Sequence, residues 1–368
     1  MKVAIVCDWL VGIGGAERVV LELHKMYPKA PIYTSQYDPS KIDWFDDADV
    51  RTTWLQKLPK SLKKFLPLLR AWTFSRLDLS EYDLVISSSG AEAKGVRTGP
   101  NTVHICYCHS PTQYYWVRTD EYMKKPGFPL GLNWLARLGL KLLIDPLKRW
   151  DFQAAKHPDF YVTNSTHTQA MIKKHYKREA TVVHPPVEVE RFAVLGKQPL
   201  RHGFVVAGRQ TPYKRIDLAV EACTELKVPL VVIGDGPDHK RLEKIAGRNV
   251  TFLSNVNDAE IGGHFQSALG FIMPNMDDFG IVAVEALAAG TPVIAYNKGG
   301  ALDYVIPGKT GLFFDKQTTK SVAAALETAL NKSFNYDSIA DHAKQFSVTA
   351  FNKNMKTFIQ DCLNKKKD

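Results

Sequence analysis

The sequence has no long hydrophobic run and only five cysteines. No stretch of about 18 or more uncharged apolar residues occurs, and the amino-terminal MKVAIVCDWL begins a strand-like pattern without the features of a signal peptide. We therefore expect a cytoplasmic protein that does not span a membrane. The cysteines are odd in number and scattered, which argues against a disulfide framework and predicts reduced, buried side chains.

The sequence also lacks internal repeats and low-complexity segments, which argues against repeat and disordered architectures. Its 368 residues are 45% hydrophobic and 23% charged, which is enough for two globular domains. The formal net charge of +10 at pH 7 favours an anionic partner. Charge alone leaves nucleic acid, an anionic lipid surface and a phosphorylated small molecule open.

Short apolar segments rich in β-branched residues alternate with helical patterns, which predicts an α/β fold with two doubly wound parallel-sheet domains. Residues 184–203 contain paired prolines and show no periodic hydrophobic pattern, which indicates a hinge. We therefore place the domains at 1–195 and 196–350. The predicted strands are residues 3–7, 83–88, 102–108 and 160–164 in the first domain, and 203–207, 230–233, 250–253, 269–273 and 292–296 in the second.

Ligands of such sheets bind beyond the carboxyl ends of the strands, so the residues that follow strands are the candidates for function. Gly12, Gly14 and Gly15 follow the first strand and precede an amphipathic helix. They allow backbone N–H groups to approach a phosphate, although a plain tight turn also explains them. Glu17 stands where a dinucleotide-binding fingerprint requires its third glycine, which argues against an NAD oxidoreductase.

Cations follow the first strand of the second domain. Gly208 and Arg209 come directly after that strand, and Lys214 lies at the start of the next helix. A solvated helix start explains Lys214 equally well if it is taken alone. Because the guanidinium of Arg209 can grip a diphosphate with two parallel hydrogen bonds, we expect these residues to bind an anion.

The segment MPNMDDFGIVAVEALAAGTPVIAYNKGGALDYV carries the densest group of candidates. Asp277 follows a strand, Phe279 and Gly280 open a helix, and Glu285 lies within its apolar sequence. A buried carboxylate needs partners such as sugar hydroxyls, and a helix N-terminus near Gly280 favours a phosphate. The alternative is that Asp277 caps the helix and that Glu285 is exposed.

Two histidines and two cysteines in HICYCH look like a metal site. On a strand, however, His104, Cys106 and Cys108 face one side of the sheet while His109 faces the other. No second pair with the spacing of zinc ligands occurs, so we predict no metal site. His109 ends the strand where a ligand would bind; the alternative is a core histidine.

Residues 51–76 contain seven basic residues and no acid. Leu62, Phe65, Leu66 and Leu69 recur with a helical period, and Pro67 predicts a kink or a break. Such a segment can lie on an anionic membrane surface. Residues 138–150 would extend the membrane-facing patch. A helix packed on its own domain with a solvated basic face explains it equally well, and burial of the tryptophans of the segment would favour that alternative.

Several motifs together resemble the retaining glycosyltransferases of family 4, whose GT-B fold consists of two Rossmann-like domains facing a central cleft. The resemblance covers essentially the full length, and PYKRIDLAVEA, DDFGIVAVEA and TGLFFDKQT are most similar to bacterial surface-polysaccharide mannosyltransferases. The motifs are GGAER, YCHSPTQY, VTNSTHTQAMI, VVHPPVEVERF, AGRQTPYKRIDLAVEA, VVIGDGPDHKRLE, DFGIVAVEALAAGTPVIA and GGALDYV.

The resemblance implies transfer of a hexose, mannose from GDP-mannose, onto a glycan, glycolipid or polyprenyl-linked acceptor at the inner face of the membrane, with retention and without a cofactor. It implies that His109 contacts the donor sugar, that Asp277 holds its hydroxyls and that Glu285 holds the ribose. Asp277 stands where the family has Glu. A carboxyl-terminal helix, residues 351–368, would pack back on the first domain.

We expect Arg209 and Lys214, with N–H groups near Gly15 and Gly280, to neutralise the departing diphosphate, so that no metal is needed. Other readings are a UDP-sugar transferase, a nucleotide-sugar epimerase and a glycogen-type phosphorylase, although no lysine site for pyridoxal phosphate is evident. A basic nucleic-acid-binding protein is the non-enzyme alternative. The basic segment of this sequence lacks the interleaving of aromatic and basic residues that such proteins have, so we expect no nucleic-acid partner.

Overall fold

The computed structural model describes residues 1–58, 66–117, 119, 133–193 and 200–366, without the side chains of residues 66, 133–141 and 258. The chain divides into two compact units. Unit 1 comprises Met1–Pro185 and Asn352–Asp368, and unit 2 comprises Pro186–Phe351. The sequence placed the boundary after residue 195. The structure divides the chain after Pro185, because Val187 and Val189 are buried in the hydrophobic core of unit 2.

Unit 1 contains a seven-stranded sheet in which every strand pair is parallel. In the order of the chain, its strands are β1 Val3–Cys7, β2 Ile32–Thr34, β3 Val50–Thr52, β4 Leu84–Ser89, β5 Val103–Cys108, β6 Phe160–Thr163 and β7 Thr181–Val182. Across the sheet the order is β3-β2-β1-β4-β5-β6-β7, so the direction of winding reverses between β1 and β4. Loops at such a switch point form the usual ligand site of an open α/β sheet.

Helices connect these strands. The helices in the first segment of unit 1, Met1–Pro185, are α1 Gly15–Met26, α2 Leu66–Phe74, α3 Gln113–Trp116, α4 Asn133–Ala154 and α5 Thr166–Tyr176. Every residue of β4 and β5 is buried, which is typical of central strands covered on both faces. Among the described helices, none is long and apolar enough to cross a bilayer. All five cysteines are buried, as predicted.

Unit 2 contains a six-stranded parallel sheet with the order β10-β9-β8-β11-β12-β13. Its strands are β8 Phe204–Ala207, β9 Leu230–Ile233, β10 Val250–Leu253, β11 Gly270–Met273, β12 Val293–Tyr296 and β13 Gly311–Phe314. Its helices are α6 Val189–Phe192, α7 Ile216–Leu226, α8 His239–Ile245, α9 Asp258–Ser267, α10 Ile281–Ala288, α11 Thr319–Leu330 and α12 Tyr336–Ala343. The switch point lies between β8 and β11, which are neighbours in the sheet.

The last helix, α13 Val348–Lys365, runs from unit 2 into unit 1. In unit 1, Met355, Ile359 and Cys362 are buried on it. Asn352 donates a hydrogen bond of 2.9 Å to the Glu22 carboxylate. Unit 1 is therefore built from two separate parts of the chain.

The predicted fold class is confirmed, because both units are doubly wound parallel sheets. All nine predicted strands form, within a residue of their predicted ends. Within the described residues, the structure adds four strands that the sequence pattern did not predict, namely β2, β3, β7 and β13.

Candidate active site

Two strand-end turns of unit 2 pack against each other at the level of the backbone. Gly234, after β9, has a φ of +115°, and a Cβ there would clash with the carbonyl oxygen of Gly208, after β8. The buried Gln210 joins the same turns, because its Nε2 donates to the Gly234 carbonyl at 2.6 Å and its Oε1 contacts His239 Nδ1 at 2.7 Å. The turn after β8, on one side of the switch point, therefore has a fixed backbone floor.

Arg209 projects from this floor. Its side chain is exposed, and none of the residues that the structure describes forms an ion pair or hydrogen bond with its guanidinium. The preceding Gly208 has a φ of +143°, and no atom lies within 4 Å of the place where its Cβ would be. The strand end is thus open beside a guanidinium that has no described partner.

Lys214 and Asp277 meet at the same edge of the sheet. Lys214 ends a short helical turn, Pro212–Lys214, after β8, and Asp277 lies in the loop after β11. The Lys214 Nζ donates to the Asp277 Oδ2 at 2.6 Å, with 23% of the lysine and 21% of the aspartate side chain exposed. The structure therefore brings together two predicted site residues that are 63 positions apart.

Gly280, Phe279 and Glu285 have different environments. Gly280 precedes α10 with a φ of +93°, and a Cβ there would lie 2.6 Å from the Met273 Cε. Phe279 is 4% exposed and packs edge-on against Tyr304, so its side chain belongs to the core. Glu285 is only 6% exposed on α10. Of the two alternatives for Glu285, the structure has the buried carboxylate.

Asp8 fixes the backbone at the switch point of unit 1. It was not among the residues predicted from the sequence. It follows β1, and its carboxylate accepts hydrogen bonds from the backbone N–H groups of Gly90, Ala91 and Ala93 at 2.8, 2.9 and 2.7 Å. These bonds fix the turn that follows β4. An acid directly after a central strand was the available signal in the sequence.

The glycine loop of unit 1 is closed by its own helix. Gly14 has an extended backbone and precedes α1, of which Gly15 is the first residue. The Glu17 carboxylate folds back on Gly14, so that a Cβ at Gly14 would lie 2.8 Å from its Oε2. Burial raises the pKa of Glu17 to about 7, and the charge of Asp8 adds to this increase. Glu17 is therefore partly protonated at neutral pH.

His109 directly follows β5, next to the unit 1 switch point. Its Nε2 lies 2.7 Å from the Ser88 Oγ, and Asn164 donates to its carbonyl at 2.8 Å. Burial lowers the pKa of His109 to about 4, so its ring is neutral at pH 7. His104 is fully buried against Ser87. No group of three or more metal-binding side chains occurs in the part of the chain that the structure describes.

Two buried ion pairs support the loops around His109. Arg70 donates to Glu92 at 2.7 Å, and Lys94 donates to Asp151 at 2.6 Å. Asp151 also accepts a hydrogen bond of 2.8 Å from Thr112 in the loop after β5. Arg70 is one of the seven basic residues of segment 51–76, for which an exposed basic face was expected. Its side chain is buried instead, because it is paired with the fully buried Glu92.

The predicted membrane segment is only partly described, because residues 59–65, and with them Leu62 and Phe65, lie outside the described residues. Trp54 and Trp72 are 46% and 51% exposed and pack edge-on at 6.1 Å. Pro67 lies in the first turn of α2 as described, where a missing N–H costs little. The burial of both tryptophans that would have favoured a packed helix is not found.

Comparison with known proteins agrees with this architecture. The family model "Glycosyltransferase Family 4" matches residues 13–191, and "Glycosyl transferases group 1" matches residues 188–346. Alpha-1,3/1,6-mannosyltransferase ALG2 of Candida glabrata is 24% identical over 377 residues, covering 83% of this chain and 78% of that protein. The GDP-mannose-dependent alpha-(1-6)-phosphatidylinositol monomannoside mannosyltransferase of Mycobacterium tuberculosis is 35% identical over 154 residues, covering 37% of this chain and 39% of that protein.

Solved structures show the same fold at low sequence identity. Alr3699/HepE of Anabaena, in complex with UDP, has a TM-score of 0.72 and 18% identity, and the match covers 98% of this chain and all of that one. WaaG, a glycosyltransferase involved in lipopolysaccharide biosynthesis, has a TM-score of 0.67 and 16% identity, with 96% and 98% covered. The chain therefore belongs to the glycosyltransferases that combine these two family domains in the GT-B fold.

Proposed function

We propose that this glycosyltransferase transfers a hexose from a nucleoside diphosphate sugar with retention of configuration. The observation that carries the proposal is the switch point of unit 2, where Arg209, Lys214, the start of α10 and the buried Glu285 lie on neighbouring segments. The guanidinium of Arg209, which has no described partner, and the ammonium of Lys214 can both donate hydrogen bonds to a diphosphate. The carboxylate of Glu285 can accept hydrogen bonds from ribose hydroxyls.

GDP-mannose is the donor that the relatives favour. The matched mycobacterial protein is named as GDP-mannose-dependent, and the ALG2 protein is named as a mannosyltransferase. A UDP-sugar is the second candidate, because the similar Anabaena structure contains UDP. The donor therefore has to be determined by binding measurements.

In the proposed mechanism, the acceptor hydroxyl attacks the anomeric carbon from the face that the diphosphate leaves, and a departing phosphate oxygen takes its proton. Arg209 and Lys214 stabilise the charge that develops on the diphosphate, together with the N–H groups near Gly280. Because the Phe279 side chain lies in the core, we retain only its backbone for donor binding. Glu285 holds the donor, and Asp277 lies beside Lys214 at the same edge of the sheet.

We propose that His109 and the glycine loop of Gly14 and Gly15, which belong to unit 1, also take part in substrate binding. With a pKa of about 4, the ring of His109 stays neutral during turnover at pH 7. Its Nε2 contacts the Ser88 Oγ, so the other ring nitrogen can form one hydrogen bond to a sugar oxygen without adding a charge. We therefore propose that His109 orients the donor sugar and does not serve as a cation.

The decisive experiment combines ligand binding with one substitution. We expect GDP or GDP-mannose to raise the melting temperature more than UDP, ADP and their sugar conjugates. Loss of a well-placed donor typically costs about 3 kcal/mol of transition-state stabilisation, so Arg209→Ala should lower turnover on the order of a hundredfold. Arg248→Ala, which removes an exposed arginine before β10, is the matched control and should retain full activity. Near-normal turnover of Arg209→Ala would refute the assignment.

We propose that no divalent metal takes part, because the Arg209 guanidinium and the N–H donors of the Lys214 ammonium can bind the diphosphate directly. Activity should then be unchanged after dialysis against a chelator. Loss of activity in the chelator, with recovery on adding Mg²⁺ or Mn²⁺, would contradict this part of the mechanism.

A lipid-linked or glycan acceptor at an anionic membrane surface fits the exposed Trp54 and Trp72. Both rings are about half exposed, and Arg76 lies over the Trp72 ring at 4.1 Å from its centroid. Tryptophan and arginine side chains favour the interface of a bilayer. The protein should co-sediment with phosphatidylglycerol vesicles at low salt. The double variant Trp54→Ala/Trp72→Ala should bind these vesicles more weakly. The protein should not bind labelled RNA. Equal binding of the double variant would refute this role of the tryptophans.

A further inference from the structure

The ion pair between Lys214 and Asp277 poses a problem for the site. The proposed mechanism needs the Lys214 ammonium at the diphosphate, yet a carboxylate oxygen lies 2.6 Å from its Nζ. Neither residue is fully buried, so the pair is not a packing element of the core. The carboxylate that would hold sugar hydroxyls is thus already bonded to the cation that would hold the phosphate.

Backbone geometry fixes the Asp277 end of this pair. The Asp277 carbonyl accepts a hydrogen bond of 2.9 Å from the Gly300 N–H. The neighbouring Gly299 has a φ of +76°, and a Cβ there would lie 2.6 Å from the same carbonyl oxygen. The short helical turn after β12 therefore holds the main chain of Asp277 in one place.

The Lys214 end is also fixed at its backbone. The Lys214 N–H donates to the Thr211 carbonyl at 2.9 Å, and Arg215 follows with a left-handed φ of +52°. Arg215 is anchored by Asp217 at 3.2 Å. The four-carbon side chain between backbone and ammonium is then the mobile part. It is restrained by the ion pair with Asp277, and the Tyr213 ring lies with its centroid 5.6 Å from the ammonium.

We propose that Asp277 is a positioning residue that acts on the donor through Lys214. A lysine ammonium has three N–H donors. One of them bonds to Asp277, which leaves the others for the diphosphate and holds the charge at the switch point before the donor arrives. The pair is formally neutral, so Arg209 supplies the net positive charge that attracts the donor. This inference rests on the proposed function, because it assumes that a diphosphate occupies this edge.

The same acid could instead contact the sugar directly, and the two roles predict different results. If Asp277 acts through Lys214, its removal has no further effect once the ammonium is gone. If Asp277 binds a sugar hydroxyl, the two losses add, and discrimination between sugar epimers changes. A double-mutant cycle with a selectivity measurement therefore separates the roles.

The experiment compares the wild type with Asp277→Asn, Lys214→Met and the double variant. Turnover is followed as release of nucleoside diphosphate from the donor, with water or a glycan as acceptor. We expect Asp277→Asn to lower kcat on the order of tenfold while GDP binds at least as tightly, because the freed ammonium still attracts phosphate. In the Lys214→Met background, Asp277→Asn should lower neither kcat nor GDP affinity any further. The preference for GDP-mannose over GDP-glucose should stay the same in Asp277→Asn.

Asp235→Asn is the matched control, because Asp235 follows β9 at the same sheet edge and is 71% exposed. It removes the same charge without touching Lys214 and should leave all these values unchanged. Additive losses in the double variant, or a changed sugar preference in Asp277→Asn, would overturn the inference and leave the donor site intact. If the wild type binds none of GDP, UDP and ADP in calorimetry, the proposed function fails, and the inference fails with it.

Discussion

Replacing Glu17 by glutamine tests the electrostatics at the start of α1. The Glu17 carboxyl is 8% exposed and has its pKa raised from 4.5 to about 7. Below pH 4.5 the group is protonated in the folded and the unfolded chain, so it costs nothing. As the pH rises through 4.5 towards 7, the unfolded chain ionises first, and stability is lost. Above pH 7 the loss is complete.

The pKa values set the size of this effect. A tenfold difference in proton affinity corresponds to about 1.4 kcal/mol, so the rise from 4.5 to about 7 corresponds to roughly 3 kcal/mol at high pH. Glutamine has the same shape and no charge. Glu17→Gln should therefore stabilise unit 1 by roughly 2 to 3 kcal/mol at pH 8.5 and by less than about 0.5 kcal/mol at pH 4.5.

Tryptophan fluorescence provides a selective assay. All seven tryptophans lie between residues 9 and 150, within unit 1, so urea unfolding followed by their fluorescence reports unit 1 alone. Glu81→Gln removes an exposed carboxylate of the same unit and is the control, with a change within about 0.5 kcal/mol at every pH. A stability difference between Glu17→Gln and the wild type that does not change with pH would refute the reasoning.

Further predictions concern the backbone floor, a buried ion pair and His109. Gly234→Ala should lower the calorimetric melting temperature of unit 2, since its Cβ would meet Gly208 and its φ is positive, whereas Gly263→Ala, with open space around it, should not. Glu92→Ala leaves the Arg70 charge buried and should destabilise unit 1 by about 3 to 5 kcal/mol in urea; Glu92→Leu with Arg70→Met should recover most of this. In an NMR titration, the His109 ring should titrate near pH 4, and a midpoint near 6.5 would contradict its burial.

The central strands could be predicted from the sequence because buried parallel strands are continuous apolar segments. The strands that were missed are short or lie at sheet edges. Val50–Thr52, for example, is the edge strand β3, and its central Arg51 is exposed and bonded to Asp49. A polar edge strand of three residues has no hydrophobic period to reveal it.

The site was predictable as a set of strand-end residues, but the pairs within it were not. Lys214 and Asp277 each follow a strand, yet the bond between them depends on β8 and β11 being neighbours in the sheet. Phe279 was grouped with the site because it adjoins Gly280, and only the fold shows its ring among core aromatics. Arg70 and Glu92 carry no local signal of their pairing.

The division of unit 1 into two parts of the chain determines the order in which the protein can be completed during synthesis. Unit 2 is continuous, so all of its residues have been made before the ribosome reaches Asn352. Unit 1 must wait for α13, because Met355, Ile359 and Cys362 fill its core only at the end of translation. Until then, the nascent first unit exposes an apolar surface that a chaperone could recognise.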